Sequence, residues 1–172
     1  VGIPSYISEL RRLEELEPQL KNSIVFHIGL ICGHQKSANY ALNLAWQNGI
    51  PPQNLITMDF RHKLLDRPAS HYAAEFVFRS DSSDDNQQGP LQTIIVAPDK
   101  LYGSNWGWGM FKTMFSDYTD DAFNETADVV LGDAWIAPFV TDSKGTNIVI
   151  VRDAHAKKLL ESLKASNTIS LH

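Results

Sequence analysis

A chain of 172 residues, 43% of them hydrophobic, can bury roughly 70% of the surface its unfolded form exposes, enough for a core without cross-links. With 15 Lys and Arg against 20 Asp and Glu, the net charge is −5, which argues against a dominant nucleic-acid surface. The single cysteine, Cys32, excludes an internal disulfide and cannot by itself hold an iron–sulfur cluster or a structural zinc.

No apolar run approaches the roughly 18–20 residues of a membrane span, and no basic stretch leads into an apolar one as in a secretory leader. The expectation is a soluble, single-domain protein of a reducing, cytoplasmic compartment. Val1-Gly2-Ile3-Pro4 enters structure almost at once, which fits either a processed start or a piece of a longer polypeptide.

Pro4 suits the first turn of a helix, because its missing N–H is one the helix leaves unbonded there. Ile7, Leu10, Leu13, Leu16 and Leu20 recur at helical spacing, with Arg11, Arg12, Glu14 and Glu15 on the other face. Residues 24–32 (IVFHIGLIC) are nearly all apolar, as in a strand covered on both faces. After a turn over 33–37, Ala38, Ala41, Leu42, Ala45 and Trp46 mark a second helix, ended by Asn48-Gly49. Strands are expected over 55–60, 75–79 and 91–97, with a basic loop over 61–71 and a flexible acidic excursion over 80–90.

Residues 98–124 are aromatic and Gly-rich without a clean period. Two further strands, 128–131 and 147–152, flank a loop over 132–146. Asp153 caps a last helix with the stripe Ala156, Leu159, Leu160 and Leu163. The order of elements predicts an α/β domain, a mixed sheet flanked by helices with some antiparallel strands in the middle.

The common nucleotide, hydrolase and zinc-protease signatures are absent. Ser5 and Ser37 have no nucleophile elbow or oxyanion loop around them, which disfavours a Ser/His hydrolase. His34 lies two residues from Cys32 without a second pair of ligand types, so a backbone-bonded histidine is favoured over a metal ligand. Arg61, His62, Lys63 and Arg67 follow a strand end, where cations suit a phosphate or carboxylate; a solvated loop paired with nearby acids accounts for them as well, and spacing alone favours it. In residues 103–110 (GSNWGWGM), Trp106 and Trp108 offer either a stacking surface for a flat ligand or anchors pinning a Gly-rich turn to the core. Asp133 falls just beyond a strand, where functional groups collect, or else caps a loop with Trp135 as a core plug.

Four segments, in order, carry a resemblance: 2–13 (GIPSYISELRRL), 28–34 (IGLICGH), 59–72 (DFRHK through RPASHY), and GDAW at 132–135 followed by GTNIVIVR at 145–152. Together they resemble the C-terminal domain of the deazaflavin (coenzyme F-420) hydrogenase and dehydrogenase beta-subunit family. The resemblance implies a flavin-dependent oxidoreductase domain, with FAD doing the hydride or electron chemistry on a small-molecule redox substrate beside a partner protein or upstream domain. It implies that Arg61, Lys63 and Arg67 hold cofactor phosphates, and that Gly132, Asp133, Gly145, Thr146 and Asn147 line the ligand cleft.

The sequence departs from the family pattern at the 4Fe-4S ligands. The cysteine after G-x-P falls on Ser5, and a C-D-Y-C-like run falls on Ser116-Asp117-Tyr118-Thr119, while Cys32 is retained. Hydroxyls ionise too weakly to replace thiolates as a set, so a 4Fe-4S cluster is not expected, by natural loss or by replacement of cysteines. The competing expectation is a non-catalytic ligand-binding or scaffold module on the same fold.

Overall fold

The computed structural model describes residues 1–81, 89–103 and 106–171, without the side chain of Trp106; most of the acidic excursion lies outside them. In chain order the elements are α1 (Pro4–Leu16), α2 (Pro18–Ser23), β1 (Ile28–Leu30), α3 (Ala38–Gln47), β2 (Leu55–His62), β3 (Ala73–Arg79), β4 (Leu91–Val96), β5 (Val129–Asp133), β6 (Asn147–Val151) and α4 (Ala154–Ala165). The α/β class is as the sequence predicts. No helix among the described residues is long and apolar enough to cross a membrane.

The chain divides into two compact units: Val1–Gln35, Thr113–Asp133 and Asn147–His172 form the first, Lys36–Lys112 and Ala134–Thr146 the second. The first holds a mixed sheet in the order β1-β5-β6, with β1 parallel to β5 and β5 antiparallel to β6. β1 is shorter than the apolar run suggests. Its free edge is taken by Gly2, whose N–H donates to Ile28 O at 3.0 Å and whose carbonyl accepts from Leu30 N at 3.0 Å.

One continuous first helix through Leu20 does not form. Pro18 disfavours helical backbone at Glu17, which sits at φ −125°, ψ 85°, and a separate short helix restarts at Pro18. Ile7 packs with Ala127 and Val130 in the core, whereas Leu13 and Leu16 are exposed. Asp153 caps α4 as expected, accepting from His155 N at 2.8 Å and Ala156 N at 2.9 Å.

Glu14, expected on the polar face of α1, is buried. It joins a polar network that ties the helix to the sheet. His27, also buried, has Nε2 3.0 Å from Glu14 Oε1, off the axis an aligned hydrogen bond needs, and Nδ1 3.3 Å from Asp128 Oδ2. Arg11 donates to Asp128 Oδ1 at 2.7 Å and to Thr126 O at 3.0 Å, and the His27 N–H donates to Asp128 Oδ2 at 2.7 Å.

Burial alone would raise the Asp128 carboxyl; the His27 N–H and the Arg11 guanidinium outweigh it and hold the group below its ordinary value of 3.8. A depressed carboxyl contributes stability that is complete above the unfolded value and is lost as pH falls through the folded one. Asp128→Asn is expected to cost about 2 kcal/mol at neutral pH and to flatten the loss of stability below about pH 4. Urea unfolding at pH 6 and pH 3 checks this; parallel losses in the two proteins would remove Asp128 from the acid response.

The second unit is an antiparallel sheet, β2-β3-β4, with α3 packed against it. Along β2 the inner positions Met58 and Phe60 alternate with the exposed Thr57 and Asp59. The face of α3 turned inward carries Tyr40, Leu44 and Ala45, while Trp46, expected on the inner stripe, is exposed. Tyr40 accounts for the rotation, because its ring stacks on Phe60 with centroids 5.5 Å apart and planes 6° from parallel. Leu44, Ile50, Ala74, Phe76 and Leu101 complete this core.

Candidate functional site

The chain order places Arg61 in a loop; the structure places it on β2. Asp59 pairs with Glu75, but the next paired residue is His62, opposite Ala73, so β2 carries one residue more than β3 across this step. That is a β-bulge, which re-aims side chains that strict alternation would send to opposite faces. The Asp59 carboxylate stabilises it by accepting from Arg61 N at 2.8 Å. As a result Phe60 and Arg61 line the same cavity.

This cavity, within the second unit, has a volume of about 400 Å³. Its walls come from Tyr40 and Leu44 of α3, from Met58 and Phe60 of β2, and from Ala73 and Ala74 of β3, whose short side chains leave the space open. Ser70, Tyr72, Pro98, Leu101, Gly107 and Trp135 close the rest. Arg61 is the one charged residue among the described lining residues.

The Arg61 guanidinium carbon lies 5.1 Å from the Trp135 ring centre and 5.6 Å from that of Tyr72, both within cation–π range. The two rings are themselves 6.2 Å apart and tilted by 35°. Burial first, then the neighbouring Tyr72, pushes the Tyr40 hydroxyl above the usual phenol range, so it stays neutral. A mostly apolar, aromatic cavity with few polar groups is the usual form of a small-molecule site. Its volume takes one fused ring system; a whole flavin dinucleotide, with two ring systems and a diphosphate, is too large for it.

Of the three cations singled out by sequence, only Arg61 reaches the cavity. Arg67 pairs on the surface with Asp66 at 3.6 Å, as a solvated loop would. Lys63 is exposed and lies beside Gly145, where an added Cβ would stand 3.5 Å from Nζ. Gly145 has φ +82°, a conformation that favours glycine, and Thr146 O accepts from Ala134 N at 2.9 Å. Gly132, Asp133 and Asn147 belong to the first unit, where Asp133 pairs with Asn147 at the end of the β5–β6 hairpin.

Trp135 is no core plug, being 46% exposed and facing the cavity. Trp108, 59% exposed, sits edge-on to Tyr102 with centroids 6.4 Å apart, so it does not pin its turn to the core; the Trp106 side chain lies outside the described residues. Tyr40, Tyr72 and the bulge are what sequence reading missed. The Asp-x-Arg at 59–61 carried the signal, since its carboxylate reaches the Arg61 N–H.

The positions matching cluster cysteines all fall in the first unit, on segments in contact. Tyr6, next to Ser5, packs on Phe115 with rings 5.2 Å apart, and Ser116 Oγ accepts from Gln35 N at 2.9 Å. Ser5 is buried with no hydrogen-bond partner for Oγ. Thr119 Oγ1 accepts from Asp121 N at 3.2 Å, and Cys32 Sγ donates to His34 O at 3.3 Å. One thiol and three hydroxyls do not fit the thiolate set of a 4Fe-4S cluster. No group of three or more His, Cys, Asp and Glu among the described residues is arranged for a metal.

The structure is similar to a chain of the F420-reducing NiFe hydrogenase complex from Methanosarcina barkeri, solved as a xenon derivative, with a TM-score of 0.53 and 13% sequence identity. The match covers 96% of this chain and 47% of that one, so this chain spans about half the length of that relative. Identity at that level speaks for the fold alone. No curated protein matches the sequence. The model of the coenzyme F420 hydrogenase/dehydrogenase family, for the C terminus of its beta subunit, matches residues 1–172, and the chain belongs to that family.

Proposed function

We propose that this chain is a flavin-binding redox domain, that the second unit's cavity seats the ring of FAD, and that the 4Fe-4S site of the family has been lost from it. The supporting observation is the cavity itself, with its Arg61–Tyr72–Trp135 stack, in a chain of a redox family. Trp135 and Tyr72 would supply the stacking faces and Arg61 the charge at the ring edge. Lys63 and Arg67, on the same basic loop, would face the phosphates of the tail, with Gly145 and Thr146 of the same unit as further ligand contacts. Bound flavin supplies hydride or single-electron transfer; the protein's residues bind and orient it and set its electrostatics.

Without a cluster, two-electron transfer to a small-molecule substrate is favoured over relay of single electrons. The neighbour's place in a hydrogenase complex supports a partner protein or upstream domain for this chain too. A reducing, cytoplasmic setting accords with the lone thiol.

The test is an absorbance spectrum with flavin and iron analysis on protein purified without oxygen. Flavin bands with iron far below cluster stoichiometry are expected. Colourless protein that FAD, FMN and a deazaflavin all fail to reconstitute would overturn the flavin reading, and stoichiometric iron and sulfide would overturn the cluster loss. The exposed Trp108–Tyr102 pair favours a second reading, a non-catalytic ligand-binding or scaffold module. It expects no flavin and a partner whose recovery falls when Trp106 and Trp108 are both alanine.

A further inference from the structure

We propose that β4 is an open pairing edge, and that a second copy of this chain adds to it as an antiparallel strand about a twofold axis at Thr93. The inference stands apart from the flavin reading, since no residue of β4 lines the cavity.

The edges of the two sheets differ in how they are guarded. β1 is closed by Gly2, and β6 is half-buried along Val149, Ile150 and Val151. β2 carries Asp59 and Arg61 and two register shifts against β3, devices that keep a neighbouring strand off. β4 (LQTIIV) has neither: its residues are uncharged, run in unbroken register with β3, and pair on one side alone among the described strands. Leu91 and Ile95 are 57% and 52% exposed, and Gln92 and Thr93 are exposed as well.

The ladder fixes which backbone groups face outward. Ser80 N donates to Pro90 O at 3.1 Å, so the pairs that exchange bonds with β3 are Phe78 with Gln92, Phe76 with Ile94 and Ala74 with Val96. Leu91, Thr93 and Ile95 therefore turn N–H and C=O away from β3, and these groups meet no backbone partner among the described residues. Their side chains share the sheet face opposite the one through which Ile94 and Val96 pack on the core.

A second copy matches this edge in hydrogen bonds, side chains and charge. With Thr93 opposite Thr93, Leu91 of each copy falls opposite Ile95 of the other, and the three pairs exchange about six hydrogen bonds. Thr on Thr adds a side-chain hydrogen bond, and Leu on Ile covers exposed apolar surface. Charge selects the antiparallel sense. Arg79 stands beside Leu91 and Glu75 beside Ile95, so the twofold sets Arg79 of one copy and Glu75 of the other at the two ends of one row; a parallel copy would set like with like.

Sedimentation equilibrium of the full chain, from about 10 µM to about 1 mM, tests this: the weight-average mass is expected to climb toward twice the monomer's. Thr93→Pro removes an outward N–H while leaving the β3 ladder intact, and is expected to weaken self-association at least about tenfold. Thr93→Lys and Thr93→Glu each set like charges opposite one another at the axis; each is expected to be monomeric alone, and an equimolar mixture to restore the dimer. Thr93 is exposed, so urea midpoints close to that of wild type are expected in all three variants. A wild-type chain that stays monomeric throughout would overturn the proposal, whatever other strand the edge accepts. Unchanged self-association in Thr93→Pro would overturn β4 as the contact, and Lys and Glu variants that fail to pair when mixed would overturn the twofold at Thr93.

Discussion

Alanine at Gly29 is expected to cost the first unit about 3 kcal/mol or more, a large share of the total stability of a typical domain. The glycine is required by close approach. A Cβ there would lie 2.5 Å from Asn124 Cγ and 2.6 Å from its Nδ2. Asn124 is 0% exposed, and its amide donates to Gly2 O at 3.0 Å and Leu30 O at 3.2 Å, stitching the start of the chain to β1. Its backbone carbonyl accepts from Arg152 Nη1 at 3.0 Å, so its main chain has little freedom to retreat. The methyl must then break buried hydrogen bonds or push β1 from β5. Overpacking alone costs about 1–3 kcal/mol, and stranded buried polar groups add a comparable amount.

Gly132→Ala is the informative control. Its methyl meets Ile31 Cδ1 at 2.5 Å, Cγ1 at 2.8 Å and Cβ at 3.0 Å; a rotamer change moves the first two away but not the Cβ, and no buried hydrogen bond is at stake, so a smaller cost of about 1–2 kcal/mol is expected. Urea unfolding midpoints compare the two. If Gly29→Ala proved no less stable than Gly132→Ala, Asn124 would not be the pin described here.

Trp135→Ala is expected to weaken flavin binding by about 10- to 100-fold, the worth of one aromatic stacking face at about 1–3 kcal/mol. Removing the indole also takes away one of the aromatic rings the Arg61 guanidinium lies against. The half-exposed ring supports little of the core, and the unfolding midpoint should hardly move. Trp46→Ala is the matched comparison, since Trp46 is exposed on α3 and does not line the cavity. Equal losses of affinity in the two variants would place the flavin elsewhere.

The sequence carried the elements better than it carried the site. Periodicity found every long helix and strand because burial enforces it, as in β2, where Met58 and Phe60 point inward. It misread the faces of α1 and α3 for a common reason. Counting apolar residues favours the stripe through Trp46, but a flat ring fills the gap between helix and sheet, so Tyr40 turns inward against Phe60. Likewise Glu14 is buried because His27 and Arg11 come to it from residues near and far in the chain, which no local pattern records.

Arg61 was legible as a cation at a strand end, yet its role depends on the extra β2 residue between Asp59 and His62 and on Trp135, 74 positions away by difference of residue numbers. The positions that match the family's cysteines were legible only beside the family pattern. The chemistry of Ser5, Ser116 and Thr119 is ordinary in isolation.

The central claim, that the second unit's cavity seats a flavin ring, is tested most directly by mapping amide chemical shifts as FAD is titrated into isotope-labelled protein. Saturable shifts centred on Arg61, Tyr72, Ala74 and Trp135 are the expected result. Shifts confined to the first unit, or none at saturating flavin, would contradict it.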